Sequence, residues 1–277
     1  MVPQSPDPSS SVVLLEGDCL ELAGSVPGGP VDLVYLDPPF ATGRTHSGRD
    51  GRSFQDHWQT PADWVEFIRP RLREVVRLLA PTGAILFHCD WRTCHHARLM
   101  LEELLGADCF QNHLVWKYGL GGSSARRFSR KHDDILFFTR SASEWYFDPP
   151  MVPATSNRMK GMMKKATDVL DVPSINNMSR ERNGWPTQKP LALLELLVGA
   201  CCPPGGLVLD PMCGSGTTLE AARNLQRRAV GIDRLPAALE VAGRRLDTEV
   251  SDRPSSNLRQ ELEELEAPGR RGERASG

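Results

Sequence analysis

The sequence predicts an α/β fold in which a doubly wound, mostly parallel sheet carries a small insertion. Three observations point to it. Short runs rich in Val, Leu and Ile alternate with longer segments of helical period. Two turn-forming motifs directly follow such runs, and in open α/β sheets ligands bind beyond the carboxyl ends of the strands. A chain of 277 residues with 40% hydrophobic content is long enough to bury a sizeable core.

The elements follow from the patterns in chain order. Short apolar runs predict strands buried on both faces at 12–15, 33–36, 84–88, 114–116, 135–139, 207–209 and 229–232. Segments of period 3.6 predict helices at 64–79, 94–105, 190–200, 217–224 and 236–246. Because helices separate most of the strands, most neighbouring strands should run parallel.

Composition divides the chain further. Residues 1–11 are rich in Pro and Ser and are expected to be disordered, and residues 248–277 form a charged tail in which 257–265 is compatible with a short solvated helix. The stretch 141–184 has little periodicity and reads as an insertion between the two halves of the domain, 12–140 and 185–247. No run of 18 apolar residues and no signal-peptide pattern occurs, so we expect a cytoplasmic protein.

Positive charge is concentrated around the insertion. The whole chain has a net charge of -2, but residues 117–189 contain thirteen Lys or Arg against seven Asp or Glu, which gives this part +6 and leaves -8 for the remainder. A solvated basic surface is the simplest explanation, but segregation on this scale favours a face that binds nucleic-acid phosphates. The residues expected on it are Arg126, Arg127, Arg130, Lys131, Arg158, Lys160, Lys164, Lys165, Arg180 and Arg182, with Arg44 from the glycine-rich loop 41–59, which we expect to be mobile.

The seven cysteines indicate reduced thiols, because their number is odd and no secretory signal precedes them. Cys89, Cys94, His95 and His96 form the one cluster worth testing as a metal site, but their spacing does not match a zinc-finger pattern. A helix that presents polar side chains is the simpler interpretation. We therefore expect no metal.

The first strong motif spans residues 209–218, a predicted strand that runs into a glycine turn and then a helix. Gly214 and Gly216 allow a sharp turn and the close approach of a ligand, and the absence of a following Lys excludes a P-loop. A Gly-x-Gly turn alone is weak evidence. However, Asp233 ends the next predicted strand, where its carboxylate would accept both hydroxyls of a ribose. The pair fits an adenosyl ligand, and the missing third glycine argues against a nicotinamide dehydrogenase.

The second motif is the tetrapeptide formed by Asp37, Pro38, Pro39 and Phe40, also at the end of a buried strand. Two consecutive prolines remove two backbone donors, so carbonyl oxygens and one carboxylate are left to face the cleft. A pocket of acceptors suits an amino group, and Phe40 offers an aromatic face to a base. A plain strand-ending turn, with the Asp as a helix cap, is the structural alternative.

With these motifs in place, the sequence resembles the β class of DNA amino-methyltransferases. The matching pieces are the tetrapeptide at 37–40, the segment 186–190 (Pro-Thr-Gln-Lys-Pro) and the glycine turn at 210–218, in that order, with an opening segment at 16–20. The resemblance covers most of 12–246. It implies a methyltransferase-type sheet, with 12–140 as the catalytic half, 141–184 as the target-recognition insertion and 185–247 as the cofactor half.

The resemblance also implies a cofactor, S-adenosylmethionine, and residues that hold it. These are Asp18, Thr187, Gln188, Lys189, Asp210, Pro211, Met212, Gly214, Ser215, Gly216, Thr217, Thr218 and Asp233. Within this set, Thr187, Gln188 and Lys189 would close over the methionine end. A helix N-terminus capped by Thr187, with Pro190 in its first turn, is the alternative explanation for that segment and is compatible with ligand binding.

The expected reaction is methyl transfer to the exocyclic amino group of a base flipped out of double-stranded DNA. Adenine N6 and cytosine N4 present the same chemistry, and Asp37 gives only a slight lean towards adenine. An RNA or protein-amide methyltransferase, or a non-catalytic DNA-binding module, is the alternative. Similar enzymes are often dimers, and some are accompanied by a restriction endonuclease.

Overall fold

We analysed a computed structural model of the chain, which describes residues 12–26, 29–48, 53–119, 123–154, 158, 160–176 and 178–251. The expectations for residues 1–11, for a helix at 257–265 and for most of the charged tail therefore lie outside the described residues. Within the described part, no helix is both long enough and apolar enough to cross a membrane.

Nine strands of the described chain form one mixed sheet in the order β10-β6-β7-β5-β2-β11-β12-β1-β13. Their bounds are β1 Val12–Glu16, β2 Val31–Leu36, β5 Leu79–Cys89, β6 Phe110–Lys117, β7 His132–Thr139, β10 Val169–Leu170, β11 Leu207–Asp210, β12 Arg228–Asp233 and β13 Val250–Ser251. Strand β7 is antiparallel to both β5 and β6, and the other neighbours are parallel. This confirms the predicted α/β class.

Among the residues described, six α-helices flank the sheet: α1 Cys19–Leu22, α2 Pro61–Arg77, α3 Cys94–Leu105, α4 Leu191–Cys201, α5 Thr217–Asn224 and α6 Pro236–Leu246. Helices α2 and α3 pack with one face of the strands in one core cluster, and α4 and α5 pack in the other. Helix α2 begins with a capping box, since Thr60 Oγ1 accepts from the backbone N–H of Asp63 and the Asp63 carboxylate accepts from that of Thr60.

The two motif-bearing strands are neighbours. Strand β2 pairs with β11 through Leu33 opposite Val208 and Val34 opposite Leu209. After β2 the chain crosses to β5 on one side, and after β11 it crosses to β12 on the other. The point between them is thus a topological switch point, where α/β sheets leave a crevice.

The seven strands and five helices predicted from the sequence are all present. Helices α3, α5 and α6 have the predicted bounds, and the ends of the other elements are shifted. Strand β5 extends back to Leu79, and α2 begins at Pro61. The alternative explanation for segment 186–190 made Thr187 the cap of a helix with Pro190 in its first turn. In the structure α4 begins at Leu191, and Pro190 occupies the N-cap position. The proline has extended backbone there, and its side chain has no oxygen that could accept a capping hydrogen bond.

Two hairpins were not predicted. Residues expected to be an irregular loop form β3 Arg44–Ser47 and β4 Ser53–Asp56, an antiparallel pair. Their alternation of exposed and partly buried residues is too short and too polar to stand out in the sequence. In the insertion, β8 Met151–Pro153 pairs with β9 Met163–Lys165, and β10 adds two residues to the edge of the main sheet.

Candidate active site

The crevice at the switch point is a cleft with an empty volume of about 1130 Å³, open to solvent. It brings together sixteen of the seventeen residues proposed for catalysis and cofactor binding: Asp18, Asp37, Pro38, Pro39, Phe40, Thr187, Gln188, Lys189, Asp210, Pro211, Met212, Gly214, Ser215, Thr217, Thr218 and Asp233. Gly216 lies just outside it, at the N-cap of α5. Residues that are far apart in the chain thus share one cavity because β2 and β11 are adjacent.

The glycine turn after β11 has backbone conformations that favour glycine. Gly214 has φ +50 and Gly216 has φ +74. A Cβ added at Gly214 would lie 3.2 Å from Nε1 of Trp185, and one added at Gly216 would lie 3.0 Å from Cβ of Ala242. The turn therefore needs small residues both for its shape and for the space around it.

Two buried carboxylates flank this turn. Burial raises the pKa of Asp210 to about 7, although hydrogen bonds from Thr218 and the Met212 amide oppose the rise. Burial also raises the pKa of Asp233, against the hydrogen bonds it accepts from the Leu235 and Gly214 amides, each at 2.9 Å. Both carboxylates line the cleft, so a bound cation or hydroxyl donor would lie against them.

Around the tetrapeptide, two of the predicted acceptors already have partners. The indole N–H of Trp64 donates to the carbonyl of Pro39 at 2.6 Å, and Lys189 Nζ donates to Asp37 Oδ2 at 2.5 Å. The Lys189 ammonium also lies 5.0 Å from the ring centroid of Phe40. Pro38 also lines the cleft. The chain runs from the tetrapeptide into strand β3, so Asp37 is not a helix cap.

The β3–β4 hairpin forms one wall of the cleft. Asp56 holds its base, accepting from the amides of Ala41 and Thr42 and from the indole of Trp58. At its outer part, Phe54 stacks on Trp185 with ring centroids 6.2 Å apart and an interplanar angle of 13°. Sequence reasoning missed these residues, because a partner 131 positions away gives Phe54 no local signal.

Residues 187–189 of the segment 186–190 line the cleft, and the glutamine is already hydrogen-bonded within the protein. Gln188 accepts from the Asn183 amide at 2.9 Å and donates to the Glu181 carbonyl at 2.8 Å. Its amide group thus fixes the loop before it, while Thr187 and Lys189 flank it along the cleft wall.

A buried hydrogen-bond chain lies behind Phe40. The Tyr35 hydroxyl lies 2.6 Å from His88 Nδ1, and His88 Nε2 lies 3.2 Å from Asp133 Oδ2. Tyr118 donates to Asp133 Oδ1 at 2.9 Å. The His88 side chain is fully buried, with its ring centroid 5.6 Å from that of Phe40. Sequence reasoning assigned no role to these four residues.

None of the basic residues proposed for DNA lines the cleft. Most lie on the protein surface, on the segment 123–131 and in the insertion. Arg130 lies over the exposed Trp91, with its guanidinium carbon 3.4 Å from the ring centroid. Arg182 differs from the rest, because it is only partly exposed and its Nε is buried without a hydrogen-bond partner among the described residues.

The sequence cluster groups Cys94 with His95 and His96, but in the structure the neighbours of Cys94 that could bind a metal with it are His113 and Asp134. Its thiol lies 3.8 Å from His113 Nε2, and that nitrogen lies 2.7 Å from Asp134 Oδ1. The three donor atoms lie within 4.8 Å of one another. The geometry is accounted for by a His–Asp pair next to a thiol.

Fold and site together define a methyltransferase whose cleft joins an adenosyl-binding turn to an acceptor-lined tetrapeptide. The DNA methylase family, N6_N4_Mtase, matches residues 31–244. The chain belongs to this family. It is an S-adenosylmethionine-dependent DNA methyltransferase acting on adenine N6 or cytosine N4.

Individual proteins are similar to this chain in sequence or in structure. The type II methyltransferase M.HpaI of Haemophilus parainfluenzae is 32% identical over 224 residues, which cover 79% of this chain and 69% of that protein. Among solved structures, the PvuII cytosine-N4-specific DNA methyltransferase has a TM-score of 0.64 at 17% identity, covering 92% of this chain and 93% of its own. The crystal structure of the M1.HpyAVI complex with S-adenosylmethionine has a TM-score of 0.61 at 22% identity, and the match covers 85% of this chain and 99% of that one.

Proposed function

We propose that the cleft is the reaction centre for methylation of a base flipped out of duplex DNA, with the tetrapeptide holding the base and the glycine turn holding the cofactor. One observation carries the proposal: Asp37 and Gly214 line the same cleft although 177 positions separate them. An acceptor-lined pocket and an adenosyl-type turn have a common purpose only if the ligand held by the turn transfers a group to the amino group held by the pocket.

The residues present fit the cofactor. A Cβ at Gly214 would lie 3.2 Å from Nε1 of Trp185, so the turn leaves little room for a side chain at this position. Asp233 would accept the ribose hydroxyls, and buried Asp210 would face the cationic part of the ligand. Ser215, Thr217, Thr218, Thr187 and Asp18 line the same cleft. The three hydroxyls of Ser215, Thr217 and Thr218 would add donors, and Thr187 would contact the methionine end. When bound, S-adenosylmethionine supplies an electrophilic methyl group.

The tetrapeptide would prepare the amino group. Its lone pair is delocalised into the base ring, so the nitrogen is a weak nucleophile. The Asp37 carboxylate and the Pro38 carbonyl would each accept one amino hydrogen, which localises the lone pair and fixes its direction. Phe40 would stack on the base. A carboxylate is too weak a base to deprotonate a neutral amine first, so proton loss accompanies or follows transfer.

The direct test is Asp37→Ala with cofactor binding measured in parallel. We expect methyl transfer to duplex DNA to fall by about 10² or more, the scale typical of removing one oriented hydrogen-bonding group, with S-adenosylmethionine affinity retained. Near-native turnover in this variant would reject the assignment of Asp37. Trp185, whose indole adjoins the glycine turn, provides a fluorescence probe of cofactor binding.

The target base is proposed as adenine N6, with cytosine N4 as the alternative. The Asp at the first tetrapeptide position favours adenine slightly, whereas PvuII methyltransferase, which shares the fold, is cytosine-N4-specific. Mass spectrometry of nucleosides from treated DNA separates the two products. Sequencing that detects methylated bases then gives the recognition site.

The basic surface and the partners complete the proposal. The exposed cations at 123–131 and in the insertion would bind phosphates, and Arg44 would do so from the hairpin. We further propose a homodimer, testable by light scattering, and a cognate restriction endonuclease, for which the resemblance to M.HpaI is the support. Protection of host DNA against an endonuclease encoded nearby would test the latter.

A further inference from the structure

Lys189 makes the two contacts that the proposed mechanism assigns to the target base. Its ammonium nitrogen is 2.5 Å from Asp37 Oδ2 and 5.0 Å from the ring centroid of Phe40. The Lys189 and Asp37 side chains are only 12% and 18% exposed. A primary ammonium and a base amino group both present N–H donors to this carboxylate. The Lys189 ammonium therefore occupies the position where the amino group would be held.

A second carboxylate, that of Asp133, lies behind Phe40: the His88 ring centroid is 5.6 Å from that of Phe40, and His88 Nε2 is 3.2 Å from Asp133 Oδ2. Burial raises the pKa of Asp133, but the hydrogen bond and charge of His88, the positive charge of Lys189 and the Tyr118 hydroxyl outweigh it, so the pKa is lowered. The ionised form of Asp133 is thus favoured, and the positive charge of Lys189 contributes to this. It lies on the face of β7 opposite to that of Asp134, since successive side chains of a strand alternate.

Asp133 is also held in place. If the Tyr35 hydroxyl donates to His88 Nδ1, then His88 Nε2 carries the proton and donates to Asp133 Oδ2, which defines one neutral tautomer. Tyr118 donates to the other oxygen. Both carboxylate oxygens therefore have fixed partners, and each has a lone pair left for a further donor.

We propose that Lys189 is a placeholder for the target amino group, paired with Asp37 in the free enzyme and transferred to Asp133 when the base enters. This rests on the proposed function of Asp37 and Phe40. Removing one partner of a sparsely hydrated ion pair is costly when the other is left alone. The exchange avoids this, because the base amino group takes over Asp37 while Lys189 gains Asp133.

The experiment is a double-mutant cycle between Asp133→Asn and Lys189→Met. Asp133→Asn removes the charge that receives Lys189, so kcat on DNA should fall by about tenfold, which lies within the coupling range of neighbouring charged groups. In the Lys189→Met background there is no ammonium to move, so the same substitution should change kcat by less than about twofold. Base flipping is followed with 2-aminopurine placed next to the target base, which keeps its exocyclic amino group, and the signal should fall in Asp133→Asn alone.

The matched control is Asp134→Asn, the same chemical change on the neighbouring residue and the opposite face; its effect should be equal in both backgrounds. Tyr118→Phe, which removes one hydrogen bond to Asp133, should act in the same direction as Asp133→Asn but more weakly, and it serves if Asp133→Asn does not fold. Equal losses from Asp133→Asn in the two backgrounds would overturn the proposal. So would a rise in KM for S-adenosylmethionine in Lys189→Met without any change in the 2-aminopurine signal, because Lys189 would then be a cofactor ligand only.

Failure of the proposed function gives a different result. If Asp37→Ala keeps its turnover, the assignment of the base-binding site is wrong and the placeholder proposal is rejected with it. If Asp37→Ala is inactive and the cycle is additive, the site stands and only the exchange of Lys189 is rejected.

Discussion

The carboxylate of Asp233 accepts the backbone N–H of Gly214 at 2.9 Å. The last residue of β12 thus fixes the turn that follows β11, the neighbouring strand. The Asp233 side chain, which is proposed to bind the ribose, therefore also holds the backbone that is proposed to surround the ligand.

Asp233→Ala should weaken cofactor binding in two ways, because it removes both the proposed acceptor for the ribose and the acceptor that holds the glycine turn. The Gly214 and Leu235 amides lose their acceptor, and a lost hydrogen bond of this kind costs about 1–3 kcal/mol when the group left behind is buried. We expect S-adenosylmethionine affinity to fall by at least about tenfold, measured by calorimetry. Asp247→Ala, on an exposed residue at the end of α6, is the control and should leave affinity unchanged.

Gly214→Ala tests the shape of the turn. An L-residue at φ +50 costs about 1–2 kcal/mol, and the new Cβ would contact Trp185. Cofactor affinity and the Trp185 fluorescence signal should both change. Gly119→Ala has open space around the added Cβ and should change neither. Equal behaviour of the two variants would show that the turn does not need glycine.

The buried Asp210 predicts a pH dependence of stability. Its pKa in the folded protein is about 7, against an ordinary value of 3.8. The folded state therefore holds an extra proton between these values, and the contribution of Asp210 to the free energy of unfolding, complete below about pH 4, is lost as the pH rises to about 7. Asp210→Asn is uncharged throughout, so its melting temperature relative to the wild type should rise between about pH 4 and 7. A constant difference across this range would refute the assignment.

Trp64→Phe tests whether the hydrogen bond from Trp64 to the Pro39 carbonyl holds the tetrapeptide in position. Trp64 is fully buried and its indole satisfies the Pro39 carbonyl, so the substitution leaves that acceptor without its donor. We expect a loss of about 1–3 kcal/mol in unfolding free energy and a larger fractional fall in kcat than in cofactor affinity. Trp145→Phe, on a partly buried residue beyond the cleft, is the control for ring size. A kcat that follows stability alone would argue against a role in positioning.

The basic segment 123–131 predicts that the affinity for DNA depends on salt concentration. Replacing Arg126 and Arg127 together by Gln should reduce the slope of log K for DNA against log salt by about 0.9 for each phosphate that the protein no longer neutralises. Arg244→Gln removes a charge from α6, where the arginine pairs with Glu240, and should leave the slope unchanged. Titrations of non-specific duplex at several salt concentrations provide the measurement.

The sequence predicted the elements that carry a periodic apolar signal and the motifs that end them. It therefore predicted β2, β11 and a ligand site at the carboxyl ends of the strands, but not that these two strands are neighbours. It could not predict the hydrogen bond of Lys189 to Asp37, because a pairing across 152 positions depends on the path of the intervening chain. The same holds for Phe54 on Trp185 and for His88, which reads as an ordinary member of an apolar strand.

The adjacency of β2 and β11 has an evolutionary meaning. The cleft requires only that these strands lie side by side, whatever their order along the chain. Strands β1 and β13, at the two ends of the described chain, also pair, with Leu14 opposite Val250. A gene rearranged so that the segment 185–247 were translated before residue 12 would build the same pocket, with its motifs read in reverse order. The chemistry of the pocket thus depends on the adjacency of the two strands and not on the order of its motifs along the chain.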